Sequence, residues 1–303
     1  MVALGVGEVV LDRTIQLNEF PSEGTKIVPL KTEFSVGGPV ASALILLSKL
    51  GVKCFLYASV GDDEAGEIIK HKLQNAGVHL ITNQVKRTKT HNVLVNSLNG
   101  SRTIIKDNNQ RQLIKSVSKE LIEQADIVLF DRHEPNAFKD VMEKKAPDTK
   151  IIVDPSDEVS GKTIEMLKAA SFPIMPIEAL TKFRRHESLQ KNLELAYEIA
   201  QKPLVITCGG DGSILFEGEK MEVFPAYDLP IVDTLGAGDV FRGAFAFGLI
   251  QNWHVSKIVD FANMVAGLQC TKLGNSDAIP TMQEIELCKT QAIKKQINFN
   301  LFQ

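Results

Sequence analysis

Short, continuously apolar runs recur between helical stretches, and this alternation constrains the chain more than any other feature. Ile127–Asp131, Ile151–Asp154, Phe172–Met175 and Leu204–Thr207 are almost free of polar residues, as expected of strands covered on both faces. Ala3–Leu11 and Lys53–Val60 read as further strands. The helices between them have legible ends. Pro39 to Leu50 is apolar along its length and stops at Gly51, a C′ residue. Asp62 and Asp63 offer an N-cap for a helix ending near Gly77. Pro135 suits the first turn of another helix. Strand and helix in alternation predict a largely parallel, doubly wound sheet.

Two segments break the alternation. Residues 13–36 are mixed and turn-rich, and residues 91–107 alternate around Asn99-Gly100. The Asn-Gly pair predicts a hairpin with a type I′ turn. Together they predict a small side sheet, a lid over one end of the main sheet, within a single domain spanning 1–303.

Bulk properties exclude several function classes. With 34 basic and 37 acidic residues the formal charge is −3, so there is no electrostatic footprint for nucleic acid or an anionic membrane. No apolar stretch approaches the roughly 20 residues that span a bilayer, and the first residues read as a strand rather than a signal peptide. Cys54, Cys208, Cys270 and Cys288 are scattered, without metal or disulfide spacing. A soluble, cytoplasmic protein is the expectation.

Residues 231–245, IVDTLGAGDVFRGAF, place Asp239 directly after a glycine loop and ahead of a small, apolar helix. Gly236 and Gly238 leave backbone amides uncovered. A helix starting there aims its unpaired N–H groups and positive dipole end at the loop, where an anion fits. A carboxylate beside a bound anion needs a chemical task. Taking a proton from an attacking hydroxyl, while the amides stabilise a transferring phosphoryl group, is such a task. The stretch reads as a phosphoryl-transfer centre, although a Gly-x-Gly-Asp sequence alone is also compatible with a plain tight turn and helix start.

Asp-Thr-Leu-Gly-Ala-Gly-Asp, residues 233–239, resembles the C-terminal signature of the PfkB, ribokinase-like carbohydrate kinases. Residues 33–51, EFSVGGPVASALILLSKLG, resemble the N-terminal signature, residues 60–78 the segment that follows it, and residues 205–213, VITCGGDGS, the Thr-x-Gly-x-x-Gly turn. In order and spacing these cover nearly the whole chain. The resemblance implies a ribokinase-like α/β/α sandwich with a mostly parallel central sheet and a small β lid. It also implies a kinase that uses ATP and Mg²⁺ to phosphorylate a sugar hydroxyl.

The roles follow from the same resemblance. Asp239 is the implied catalytic base, and the backbone of Gly236, Ala237 and Gly238 the anion hole. Asp233 orients the loop, works through metal-bound water, or serves only the turn. Asp12 closes the first strand and holds sugar hydroxyls, Gly37 and Gly38 let the backbone approach the sugar, and Ser42 and Arg102 are further substrate contacts. Arg102 follows the Asn-Gly turn in a stretch that resembles the ketohexokinase branch. Thr207, Gly209 and Gly212 flank the nucleotide phosphates and ribose. Ala226, Asn263 and Gly267 wall the adenine.

Two departures from the family pattern matter. Family members often carry Gly-Gly-Asn-x-x-Asn where this chain has Gly-Gly-Pro-Val-Ala-Ser, so the sugar contacts differ. Many carry Asn-x-x-Glu, tied to magnesium and phosphate. Here Ile177 and Leu180 occupy those positions, leaving Glu178 as a first-turn helix acid and the metal ligands unassigned. The chain lacks the GxxxxGK[ST] loop of P-loop kinases, and GVGEVV at residues 5–10 opens no helix. A nucleoside kinase of the same fold is a second reading, with Phe34 and Leu17 the candidates to stack a base. A non-catalytic nucleotide- or sugar-binding homologue is a third. The exposed lid edge predicts a homodimer through the lid.

Overall fold

The computed structural model describes residues 1–108, 112–156, 161–183 and 188–296. In chain order the elements are β1 (Val2–Val6), β2 (Val10–Leu17), β3 (Lys31–Gly37), α1 (Pro39–Lys49), β4 (Lys53–Gly61), α2 (Glu64–Asn75), β5 (Val78–Val85), β6 (Thr90–Asn96) and β7 (Arg102–Ile105). Then come α3 (Lys119–Gln124), β8 (Ile127–Asp131), α4 (Pro135–Lys144), β9 (Lys150–Asp154), α5 (Gly161–Ala169), β10 (Ile174–Pro176), α6 (Ile177–Leu180) and α7 (Leu189–Ala200). The last are β11 (Leu204–Thr207), β12 (Ser213–Phe216), β13 (Met221–Phe224), α8 (Ala237–Ile250), α9 (Val255–Gln269) and α10 (Met282–Gln291).

Five strands form an all-parallel sheet in the order β5-β4-β1-β8-β9. A second sheet, β10-β11-β12-β13, begins with a parallel pair and ends antiparallel. Ser171 joins the two: its N–H donates to the Ile151 carbonyl at 2.7 Å and its Oγ accepts from the Ile151 N–H at 2.8 Å. Successive residues of the parallel strands enter opposite cores. Ala3, Ile127 and Ile152 pack with Leu44, Val240, Phe245 and Val265 on the α1, α8 and α9 side. Leu4, Val128 and Ile151 pack with Val141, Leu167 and Leu193 on the α4, α5 and α7 side. That alternation makes three layers, and it explains why the strands lack a polar face.

The helix ends follow their local chemistry. Asp63 caps α2, its Oδ1 accepting from Gly66 N–H at 2.9 Å. Pro135 opens α4. Gly51, φ +84°, follows α1.

A separate four-stranded sheet, β3-β2-β6-β7, has a parallel central pair and antiparallel outer pairs. It fits the expected lid, and its strands fall largely within the two segments that break the alternation. Two local expectations are corrected. Ala3–Leu11 is not one strand: the chain leaves the main sheet after Val6 and enters the lid at Val10. The break is stabilised by Gly7 N–H donating to the Tyr57 carbonyl at 3.1 Å and by the buried Asp131 carboxylate accepting from Glu8 N–H. The Asn99-Gly100 turn is not type I′, which needs positive φ at both central residues. Asn96 pairs with Ser101 around four loop residues, and within the loop Gly100 alone has positive φ, +69°.

Candidate active site

The candidate residues gather where the parallel strands β8 and β9 end, the usual ligand position in open α/β sheets. Asp131 and Asp154 stand side by side at the ends of β8 and β9. Asp12, on β2, is 4% exposed, with His91 Nδ1 3.6 Å from its Oδ1. The Asp12 carboxylate packs on Gly37, where an added Cβ would strike it. Gly38 caps α1 at φ +110°, and a Cβ there would strike the Glu8 carbonyl oxygen. Only glycine fits such a position.

Ser42 lies behind this turn, fully buried, its Oγ 3.1 Å from the Gly38 carbonyl and 3.0 Å from Asn275 Oδ1. The structure therefore places Ser42 as a brace between α1 and the 274–276 turn. The same turn reaches the lid: Ser276 Oγ accepts from Val36 N–H at 2.9 Å and Ser35 Oγ from Asn275 N–H at 3.3 Å.

The glycine loop opens α8 as its sequence requires. Gly236 is the N-cap in the left-handed conformation, φ +75°, with Asn275 Oδ1 occupying the space a side chain would need. Among the described residues, no acceptor takes the N–H of Gly238 or Asp239. These are the orphan donors of a helix start, free for an anion. Asp233 is fully buried and fixes the loop, its two oxygens accepting from Leu235 N–H and Gly274 N–H at 2.9 Å each. That is the turn-holding alternative for Asp233. Burial pushes its carboxyl up, opposed by those two bonds.

Asp239 follows in the first turn of α8, 21% exposed at the side chain. Burial and the neighbouring Asp154 push its carboxyl up to about 7, against the opposing pull of Arg242 and Arg102, while Asp12 adds to the rise. Asp12 and Asp239, far apart in sequence, thus share one electrostatic field. A carboxyl poised near neutrality suits a general base at working pH. Arg102 reaches across from the lid strand β7, its Nη1 2.6 Å from Thr234 Oγ1.

The nucleotide candidates also cluster. Thr207 ends β11, and Gly209 and Gly212 flank a single 3₁₀ turn over Gly209–Asp211. A Cβ on Gly212 would stand 2.6 Å from Ala226 N, so this turn lies on the Phe224–Ala226 stretch. Asn263 is 7% exposed, and its Nδ2 donates to the Phe224 carbonyl at 3.0 Å. It braces that stretch against α9 rather than facing solvent. A Cβ on Gly267 would stand 3.1 Å from Leu229. Val232 N–H then bonds the Cys270 carbonyl at 2.8 Å, which carries the segment along α9 to the glycine loop.

The motif reading did not assign Arg242, Asp154, Asn275 and Gln269. Arg242 Nη2 pairs with Asp154 Oδ1 at 2.8 Å. Gln269 Nε2 donates to the carbonyls of Leu235, Gly274 and Asn275 at 3.0–3.4 Å, tying the glycine loop to the 274–275 turn. The one sequence signal was a lone arginine in the otherwise small and apolar run after Asp239. Leu180 is fully buried among apolar residues, and among the described residues no three His, Cys, Asp or Glu side chains converge as a metal site.

A sequence model described as pfkB family carbohydrate kinase matches residues 5–282. The ribokinase of Lactococcus lactis is 26% identical over 307 residues, covering 98% of each chain. The ribokinase of Bacillus subtilis is 27% identical over 292 residues, covering 93% of this chain and 97% of its own. In fold, the chain is similar to Arabidopsis thaliana ribokinase complexed with ribose and ATP, with a TM-score of 0.77 at 23% identity over 94% of this chain and 97% of that one. With the glycine loop, its aspartate and the lid arranged as described, and the match running nearly end to end, this chain belongs to the pfkB family of carbohydrate kinases.

Proposed function

We propose that the protein is a cytoplasmic, ATP-dependent sugar kinase that transfers the γ-phosphate of ATP to a sugar hydroxyl, with Asp239 as base. The observation that carries this is the pairing, in one turn of α8, of unclaimed N–H groups with a carboxyl raised to about 7. The N–H groups of the 236–239 loop, those of Gly238 and Asp239 being unclaimed, receive charge developing on the transferring phosphoryl, while the Asp239 carboxylate takes the proton of the attacking hydroxyl. Asp12 accepts from two sugar hydroxyls, and the Gly37-Gly38 turn lets the sugar lie against backbone. Ser42 acts by bracing that turn. Thr207, Gly209 and Gly212 flank the phosphates and ribose, and Ala226, Asn263 and Gly267 wall the adenine. Bound ATP would bring Mg²⁺ with it, held mainly by phosphate and water, and no side chain of this chain is assigned to it. Closure of the lid through Arg102 excludes water from the transfer.

Residue alternation argues against the nucleoside reading. Phe34 pairs with Arg13, whereas Asp12 pairs with Ser35, so Phe34 points away from the Asp12 face. Leu17 shares the Arg13 face and is buried. Neither is placed to stack a base. The outer lid face instead presents Phe34 and Ile105, 46% and 54% exposed, and we read it as the surface through which two copies pair. A strictly monomeric mass in light scattering at micromolar concentration contradicts the pairing.

A coupled ADP-release assay with Mg-ATP and a panel of ketoses, aldoses and nucleosides tests the function. Turnover dependent on a sugar supports it. Turnover on nucleosides alone, or ATP binding without turnover on any acceptor, contradicts it.

A further inference from the structure

Helix α8 carries two charged residues, Asp239 and Arg242, in a run that is otherwise small or apolar. A guanidinium in such a helix is costly unless it is paired. Arg242 is 7% exposed. Its Nη2 lies 2.8 Å from Asp154 Oδ1, and its Nη1 lies 3.6 Å from Asp239 Oδ1. Nη1 would also stand 3.4 Å from a Cβ on Gly238, so the guanidinium runs along the glycine loop. Its Nε is buried and has no partner among the described residues. A buried donor without a partner, beside a carboxylate 3.6 Å from the same guanidinium, calls for an explanation beyond core packing.

Among the described residues, the largest charge influences on Asp239 come from four elements. Asp154 at the end of β9 and Asp12 from the lid strand β2 oppose its ionisation, and Arg102 from β7 and Arg242 from its own helix favour it. Asp131, on β8, is the in-register neighbour of Asp154. Arg102 belongs to the lid and is exposed, so it follows the lid when the lid moves. Of these two cations Arg242 is the one on the main body, paired with Asp154.

We propose that Arg242, anchored by Asp154, is a positioning residue that holds the Asp239 carboxylate ionised and turned to the acceptor hydroxyl. This rests on Asp239 being the base. An opposite charge at this range moves a carboxyl by about 1–3 pH units, enough to decide whether the base is free near neutrality.

The test is the pH profile of kcat for the full-length enzyme with Mg-ATP and its best sugar acceptor. In Arg242→Gln the acidic limb moves up by about one pH unit or more, so that kcat falls on the order of 10-fold below the limb and recovers at high pH. Arg242→Lys, which keeps the charge, returns most of the limb. Asp154→Asn removes an opposing charge while its amide oxygen still accepts from Arg242, and it moves the limb down. This opposite sign keeps the test decisive if Arg242→Gln does not fold. A uniform loss of kcat in Arg242→Gln with an unmoved limb overturns the role. So does a limb that is unmoved or raised in Asp154→Asn. An active wild type with these negative results overturns the Arg242 role alone, whereas a wild type without sugar-dependent turnover overturns the kinase reading and this role together.

Discussion

Arg102 of the lid donates from Nη1 to Thr234 Oγ1 at 2.6 Å, joining the small sheet to the glycine loop of the main body. Thr234 Oγ1 in turn donates to the Gly100 carbonyl at 3.3 Å, so the β6–β7 hairpin meets the loop at two points. Because Arg102 is exposed, the contact adds little to global stability; under the proposed mechanism it sets how the lid meets the glycine loop. Arg102→Gln is expected to raise the KM for the sugar on the order of 10-fold, with Tm within about 2 °C of wild type. Steady-state kinetics and a thermal melt check both halves.

Gly38 is where backbone geometry and the proposed substrate space meet. At φ +110° with the Glu8 carbonyl against it, Gly38→Ala is expected to cost about 1–3 kcal/mol. It also displaces the turn beneath Asp12. Denaturant unfolding should show a lower midpoint with an unchanged slope, and acceptor binding should weaken more than ATP binding.

The raised Asp239 carboxyl makes stability depend on pH, with a definite sign. Its ordinary value is 3.8 and its folded value about 7. The folded state therefore keeps its proton after the unfolded chain has lost it. The contribution present below about pH 4 is lost as pH rises through about 7. Asp239→Asn cannot ionise, so its Tm should exceed that of wild type at about pH 8, and the gain should vanish near pH 4. An equal difference at both pH values contradicts the assignment.

How much of this was legible depended on the range of each interaction. β8 and β11 read directly from Ile127–Asp131 and Leu204–Thr207, because strands buried on both faces have nowhere to place polar residues. The Asp63 cap and Pro135 were equally local signals. Ala3–Leu11 misled because an apolar run cannot show that a strand changes sheets. What marks the break is the long-range bond between Glu8 and Asp131. The Asn99-Gly100 pair predicted a hairpin correctly but mistook its loop, since register is set by the whole β6–β7 pairing. Within the site, the motif located Asp239 and its glycines. The sequence could not show that Ser42 already serves Gly38 and Asn275, nor that Arg242 meets Asp154, since both depend on how distant elements pack.

The most direct test of the central claim is to measure turnover and nucleotide affinity together in Asp239→Asn. The change removes the proton acceptor yet leaves the N–H groups of the glycine loop in place. The expected result is a fall in kcat of at least about 100-fold with the Kd for a non-hydrolysable ATP analogue little changed. Turnover close to wild type would contradict the account.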